Sequence, residues 1–273
     1  IDFAEIHGID EKRWLRENVL DAASLKIGPA RLNIFRNKRY PFNHDQRPPW
    51  PQDLIKGIKQ PFVFDSVCLM PSQVRYSELT AISDEPGVVE FRNLTFSGSK
   101  ISNLQEVLRR NSFLTLDAQT EIYGKALLKA HFRFDMTSPD YFHTVEGSLQ
   151  PMKLTAINSM LGKSEPMKIE EGKLNSFEFE LELNAQNSEG SLLMSYDDLK
   201  IAVLNFDGGQ QQKARLASFW ANKMILNSSY PKGSEPEPVS IHFERDEKRS
   251  IINFWWKSVF SGAKKALGIE PNE

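Results

Sequence analysis

Phe177-Glu178-Phe179-Glu180-Leu181-Glu182-Leu183 alternates large apolar and acidic residues without a break. Successive side chains of a strand point to opposite faces, so this stretch predicts a strand with one dry face and one wet, charged face. A helix would smear the same residues around its whole circumference.

Working outward, the pattern recurs. Leu128, Ala130, Phe132 and Phe134 alternate with Lys129, His131, Arg133 and Asp135. Leu114, Leu116, Ala118, Thr120 and Ile122 alternate with Thr115, Asp117, Gln119 and Glu121. Leu199, Ile201 and Val203 follow Asp197-Asp198, which reads as a turn. Gly, Pro, Asn and Ser separate most of these runs, the signature of an antiparallel meander. A doubly wound sheet would need a helix between successive strands, and that rhythm is absent. The fold class is therefore mainly β: a curved antiparallel meander sheet, groove-like or sandwich-like, with short helices and an amphipathic C-terminal helix. Alternation alone does not separate an open groove from a closed sandwich, because both need it.

A short motif repeats at an offset of 42 residues. Ser24-Leu25-Lys26-Ile27 leads through Pro29 to Leu32 and Ile34, and Ser66-Val67-Cys68-Leu69 leads through Pro71 to Val74 and Tyr76. Each copy, 24–34 and 66–76, reads as two strands about a proline bend, and such units stacked side by side build an elongated sheet. Between them, Arg47-Pro48-Pro49-Trp50-Pro51 is expected to be irregular because proline lacks an N–H.

Several helices interrupt the strands. Asn103, with Glu106 three residues on, predicts a capping box for a short helix. Leu154, Ile157, Met160 and Leu161 have helical spacing, with Gly162 placed as a C-cap. A longer helix is expected over about Gln210–Leu226, then a loop from Tyr230 to Pro238 and a last strand, Val239–Phe243. The sharpest amphipathic stretch is the last. From Ile251, the wheel gathers Ile252, Trp255, Trp256, Val259, Phe260, Ala263, Ala266 and Leu267 on one half. Lys257, Lys264 and Lys265 fall on the other half, Phe254 breaks the division, and Gly268 marks the stop. This divides the chain into a β-rich module, 1–249, and a terminal helix, 250–268.

Composition narrows the function. With 273 residues and 40% hydrophobic content the chain can bury a substantial core. A net charge of -2 lacks the basic bias of a nucleic-acid binder. The single cysteine, Cys68, between Val67 and Leu69, reads as a buried structural thiol and excludes an internal disulfide. No run approaches the roughly 18 apolar residues of a transmembrane helix. The chain starts at Ile1 without Met or a signal-peptide pattern. The expectation is a piece of a longer protein, with any anchor upstream.

Chemistry-bearing motifs are missing. His7, His44, His131, His143 and His242 form no HxxxH, HExxH or HxH pair, so no metal and no cofactor are expected. There is no P-loop, no G-x-S-x-G and no G-x-G-x-x-G, and Gly208-Gly209 reads as a turn. A glycosidase's two acids need not be neighbours in sequence, so that class stays open. The chain is read as a non-enzyme.

Two groups stand out for binding. Phe132, Phe134, Phe177, Phe179, Leu181 and Leu183 are expected on one apolar face, a candidate acyl-chain groove. Trp255, Trp256 and Lys257 suit a membrane interface, aromatic rings at lipid depth and lysine toward anionic head groups. From Arg245 to Lys265 there are six basic and two acidic residues, which favours an anionic surface nearby. The same helix can instead pack on its own sheet or cap an open end of it.

Phe64-Asp65-Ser66-Val67, Val74 to Glu78 and Glu85 to Leu94 resemble AsmA-like proteins of the bacterial envelope. So do Gly147 to Asn158, Ile169 to Phe179 and the ending from Phe243 through Phe254-Trp255-Trp256-Lys257 to Gly268. The resemblance covers about residues 20–268. It implies a repeating β-groove of the bridge-like lipid carriers, membrane-anchored in the inner membrane, periplasmic, with acyl chains on the oily inner face. It implies no catalytic residue. The expected function is periplasmic binding or transport of phospholipid or another acyl-chain ligand in support of outer-membrane biogenesis and homeostasis. The alternative is a structural module that regulates envelope assembly through partner proteins without carrying lipid.

Overall fold

In the computed structural model the alternating runs become strands of one sheet; it describes residues 1–41, 47–164, 167–204, 223–230 and 236–267. The strands are β1 (Ala4–Ile9), β2 (Leu20–Ile27), β3 (Arg31–Asn37), β4 (Phe62–Leu79), β5 (Gly87–Ser102), β6 (Phe113–Ile122), β7 (Ala126–Asp135), β8 (His143–Leu149), β9 (Met152–Lys153), β10 (Met167–Leu183), β11 (Asn187–Leu204), β12 (Lys223–Tyr230) and β13 (Val239–Glu244). The helices are α1 (Glu11–Glu17), α2 (Pro51–Lys56), α3 (Gln105–Arg110), α4 (Asn158–Ser164) and α5 (Ile251–Ala266). The sheet is mainly antiparallel, curved and unclosed, in the order β1-β2-β4-β5-β6-β7-β8-β10-β11-β12. Near one end the edge of β4 is shared by β2 and β3; near the other, that of β11 is shared by β13 and β12.

The 42-residue repeat is a pairing register. Ser24 lies beside Ser66, Leu25 beside Val67, Leu32 beside Val74 and Ile34 beside Tyr76, all in parallel. The two copies thus lie side by side, and the mainly antiparallel sheet includes two parallel pairings at β4. The second copy is not two strands. Pro71 lies inside the continuous β4, where the register with β5 shifts between Leu69 and Val74. A bulge accommodates the missing N–H. Cys68 is only half-buried, because its strand position faces the wetter side.

Other local expectations change for physical reasons. Asp197-Asp198 is not a turn between strands but an irregularity within β11, with Asp198 at φ 51. Asn103 does not cap α3. Its amide donates to the carbonyls of Ile58 and Gln60 and its oxygen accepts from the Phe62 N–H, while Glu106 pairs with Arg13. Gly162 lies within α4 rather than ending it. Pro51 starts α2, where a missing N–H costs nothing. Of the helix expected over Gln210–Leu226, residues 210–222 lie outside the described residues and 223–226 belong to β12.

The terminal helix forms as expected and packs most of the expected face on the core, Ile251, Trp255, Val259, Phe260, Ala263, Ala266 and Leu267 included, but the buried face is rotated toward Phe254. Ser250 caps it by accepting from the Asn253 N–H. Phe254, the residue that broke the wheel, is 2% exposed, whereas Ile252 and Trp256 are 65% and 56% exposed. Small residues decide this. The Ser188 hydroxyl donates to Ser258 at 2.7 Å, and a Cβ on Gly262 would stand 2.7 Å from Ile241. A helix that presents Ser258, Ser261 and Gly262 to the sheet approaches closely enough for Phe254 to be enclosed.

Candidate functional site

Pairing registers place side chains on faces, since directly opposite residues share one. On one face an apolar row crosses ten strands: Ile6, Leu25, Val67, Gly98, Leu116, Phe132, Val145, Leu181, Gly190, Ile241. The next row includes Ile27, Leu69, Phe96, Ala118, Ala130, Gly147, Phe179 and Leu192.

All six candidate groove residues lie on this face. Phe134 and Leu183 flank His143, Phe132 and Leu181 flank Val145, Phe179 lies opposite Gly147, and Phe177 lies opposite Met194. Gly147 leaves room that the Phe179 ring fills, since a Cβ there would meet the ring at 2.3 Å. Glu178, Glu180 and Glu182 are exposed on the opposite face. Leu181 and Leu183 are fully enclosed at 2% and 0% exposure, and Phe132, Phe177 and Phe179 join the same core with α5 packed over it.

Trp255 locks α5 down. Its ring is 4.8 Å from Phe132, and its indole N–H donates to His143 Nε2 at 2.9 Å. His143 is fully buried, and its Nδ1 lies 2.8 Å from the Tyr141 carbonyl. That arrangement assigns Nδ1 as donor and Nε2 as acceptor, the neutral imidazole. Burial pushes the His143 pKa down to about 4, and the nearby Arg245 charge adds to this. Arg245 stacks on Trp50 at 3.8 Å, which in turn stacks on Tyr141. Trp256 points away and stacks on Phe260, with Lys257 5.8 Å from that ring. Of the three candidate interface residues, Trp255 is therefore turned into the sheet and Trp256 is turned out.

Among the described residues, the cover thins farther along the same face. Ile27, Leu69, Phe96, Leu116, Leu128 and Ala130 are half-buried and belong to none of the three buried clusters. These residues were not singled out from sequence. Leu116, Leu128 and Ala130 sit in readable alternating runs, but nothing in those runs says which part of the face a helix will leave uncovered.

The opposite face carries a trough of about 960 Å³. Two rows form its walls: Ser97, Asp117, His131, Glu146, Glu180 and Ser191 on one side, Thr95, Gln119, Lys129, Ser148, Glu178 and Leu193 on the other. Between these rows Phe96, Ala118, Ala130, Gly147 and Phe179 also line it. Glu146 and Glu180 stand directly opposite one another, an unfavourable like-charge pair. Within one wall, Asp117 is paired with His131 Nδ1 at 2.7 Å. The wall carboxylates are exposed to solvent, unlike the enclosed acid on which a glycosidase relies.

Among the described residues no group of three His, Cys, Asp or Glu is placed to hold a metal ion, and no helix is long and apolar enough to cross a membrane. No family model matches the chain, and neither a curated protein nor a solved structure matches it.

Proposed function

We propose that the chain is a non-catalytic, lipid-handling β module, and that an acyl chain lies along the uncovered part of its apolar face. The observation that carries this is the strip from Ile27 through Leu69, Phe96 and Ala118 to Ala130, apolar, half-exposed and outside every buried cluster. From β2 to β7 it crosses four strand spacings, about 19 Å at about 4.8 Å each. An acyl chain spans half of a hydrocarbon core, about 15 Å. The candidate groove residues Phe132, Phe179, Leu181 and Leu183 then form the closed, α5-covered end of the strip. Likeness to AsmA-like proteins supports the same reading and extends it to a periplasmic setting in the bacterial envelope, with an inner-membrane anchor in a longer polypeptide. The ligand is a phospholipid or another acyl-chain molecule.

The test is mass spectrometry of organic extracts from the purified protein. The expected result is stoichiometric co-purified lipid that falls in a Leu69→Glu/Leu116→Glu variant of unchanged fold. Lipid at trace level in both proteins would reject the proposal. The alternative, a structural module that binds envelope proteins without carrying lipid, draws its support from the polar trough and the facing carboxylates Glu146 and Glu180. It gains if extracts are lipid-free while Glu146→Gln/Glu180→Gln abolishes capture of a basic partner peptide.

A further inference from the structure

The 42-residue repeat makes it possible to ask what one copy has that the other lacks. In the second copy, β4 is flanked along nearly its whole length by the antiparallel β5. The Ser102–Phe96 part of β5 lies beside Val63–Leu69, and the Phe91–Gly87 part lies beside Val74–Glu78. In the first copy, β1 stands beside Ala22–Ile27 as the Ser102–Phe96 part of β5 stands beside β4. Among the described residues, no strand stands beside β3 as Phe91–Gly87 stands beside Val74–Glu78. Among the described residues the outer edge of β3 is open, and Leu32, Ile34 and Phe35 on it are 51%, 37% and 61% exposed. Their equivalents Val74, Tyr76 and Ser77 are at most half-exposed, because β5 covers them with Phe91, Val89 and Val88.

An open strand edge with protruding apolar side chains is a template for another strand. We infer that β3 is a strand-addition site for an extended segment of a partner polypeptide, running antiparallel to β3 in line with β1. The internal equivalence also sets the chemistry of that segment. It places a large apolar residue opposite Leu32, as Phe91 is opposite Val74, and branched apolar residues opposite Ile34 and Phe35, as Val89 and Val88 are opposite Tyr76 and Ser77. Opposite Asn33 it places an acid, as Glu90 is opposite Arg75, within diagonal reach of the exposed Arg31. A second copy of this chain fits less well. β3 has no carboxylate, so pairing two β3 strands would put both copies of the exposed Arg31 on one short ladder with no acid on either strand.

The test is a titration of isotope-labelled protein with the peptide Gly-Val-Val-Glu-Phe, which copies Gly87–Phe91, followed by amide chemical shifts. Saturable shifts confined to Arg31–Asn37 and adjacent β1 amides are expected. A Gly-Val-Pro-Glu-Phe peptide, which breaks the ladder, should not produce them. A Leu32→Lys/Ile34→Lys variant should lose them, and Leu54→Lys, an exposed apolar position elsewhere, should keep them. Shifts that are absent, that map away from β3, or that persist with the proline peptide would overturn the inference. So would a concentration-dependent dimer without peptide that Leu32→Lys/Ile34→Lys dissolves, which would assign the edge to a second copy.

Discussion

His143 is where burial, tautomer and packing meet. Its neutral ring accepts from Trp255, and protonation would place a second donor against that N–H inside an apolar cluster. The folded value of about 4 lies below the ordinary 6.5, so the unfolded chain takes up the proton first. Stability held above pH 6.5 is therefore lost progressively as pH falls toward 4, on the order of 3 kcal/mol in all. Denaturant melts across that window should show the slope, and His143→Gln should flatten it. Gly147 is a second single-residue test. A Cβ there collides with the Phe179 ring, which the core holds in place, so Gly147→Ala should cost about 1–3 kcal/mol of unfolding free energy. A neutral result would mean that the ring has somewhere else to go.

At the scale of elements, α5 separates what the sequence made legible from what it did not. Helical periodicity predicted its extent to within about one residue, because spacing of apolar residues is a local property. Its buried face was legible except at Ile252 and Trp256, which turn out, and Phe254, which turns in. Hydrophobicity alone points Trp256 and Ile252 inward, but closeness of approach depends on Ser258, Ser261 and Gly262, whose small size registers as polarity or as nothing on a wheel. The strands behaved likewise. The 177–183 and 128–134 alternations name their inward residues correctly, while the parallel pairing of the two repeat copies follows from contacts between distant segments. Asn103 resembles a cap in sequence and instead ties down the chain entering β4, because three backbone groups stand within its reach. The asymmetry of α5 gives a paired prediction. Trp255→Ala should destabilise by about 3 kcal/mol, since it empties the space beside Phe132 and orphans His143 Nε2. Trp256→Ala, on the outer face, should change thermal stability by no more than about 0.5 kcal/mol. Equal effects would place the packing face elsewhere.

At the scale of the whole sheet, an apolar face is separated from a charged one, and among the described residues helices cover only part of the apolar side. The dry face was legible because alternation repeats in strand after strand; the location of the uncovered strip was not, because it depends on where α5 comes to rest. The lipid proposal rests on that strip rather than on the trough behind it. Leu116 and Asp117 are neighbours in β6 whose side chains point to opposite faces. The most direct measurement places a photo-crosslinking residue at each position in turn, irradiates the protein in the presence of phospholipid vesicles, and reads lipid adducts by intact-mass spectrometry. The account predicts adducts at position 116 and none at 117. Adducts at 117 alone, or at neither position, would contradict it.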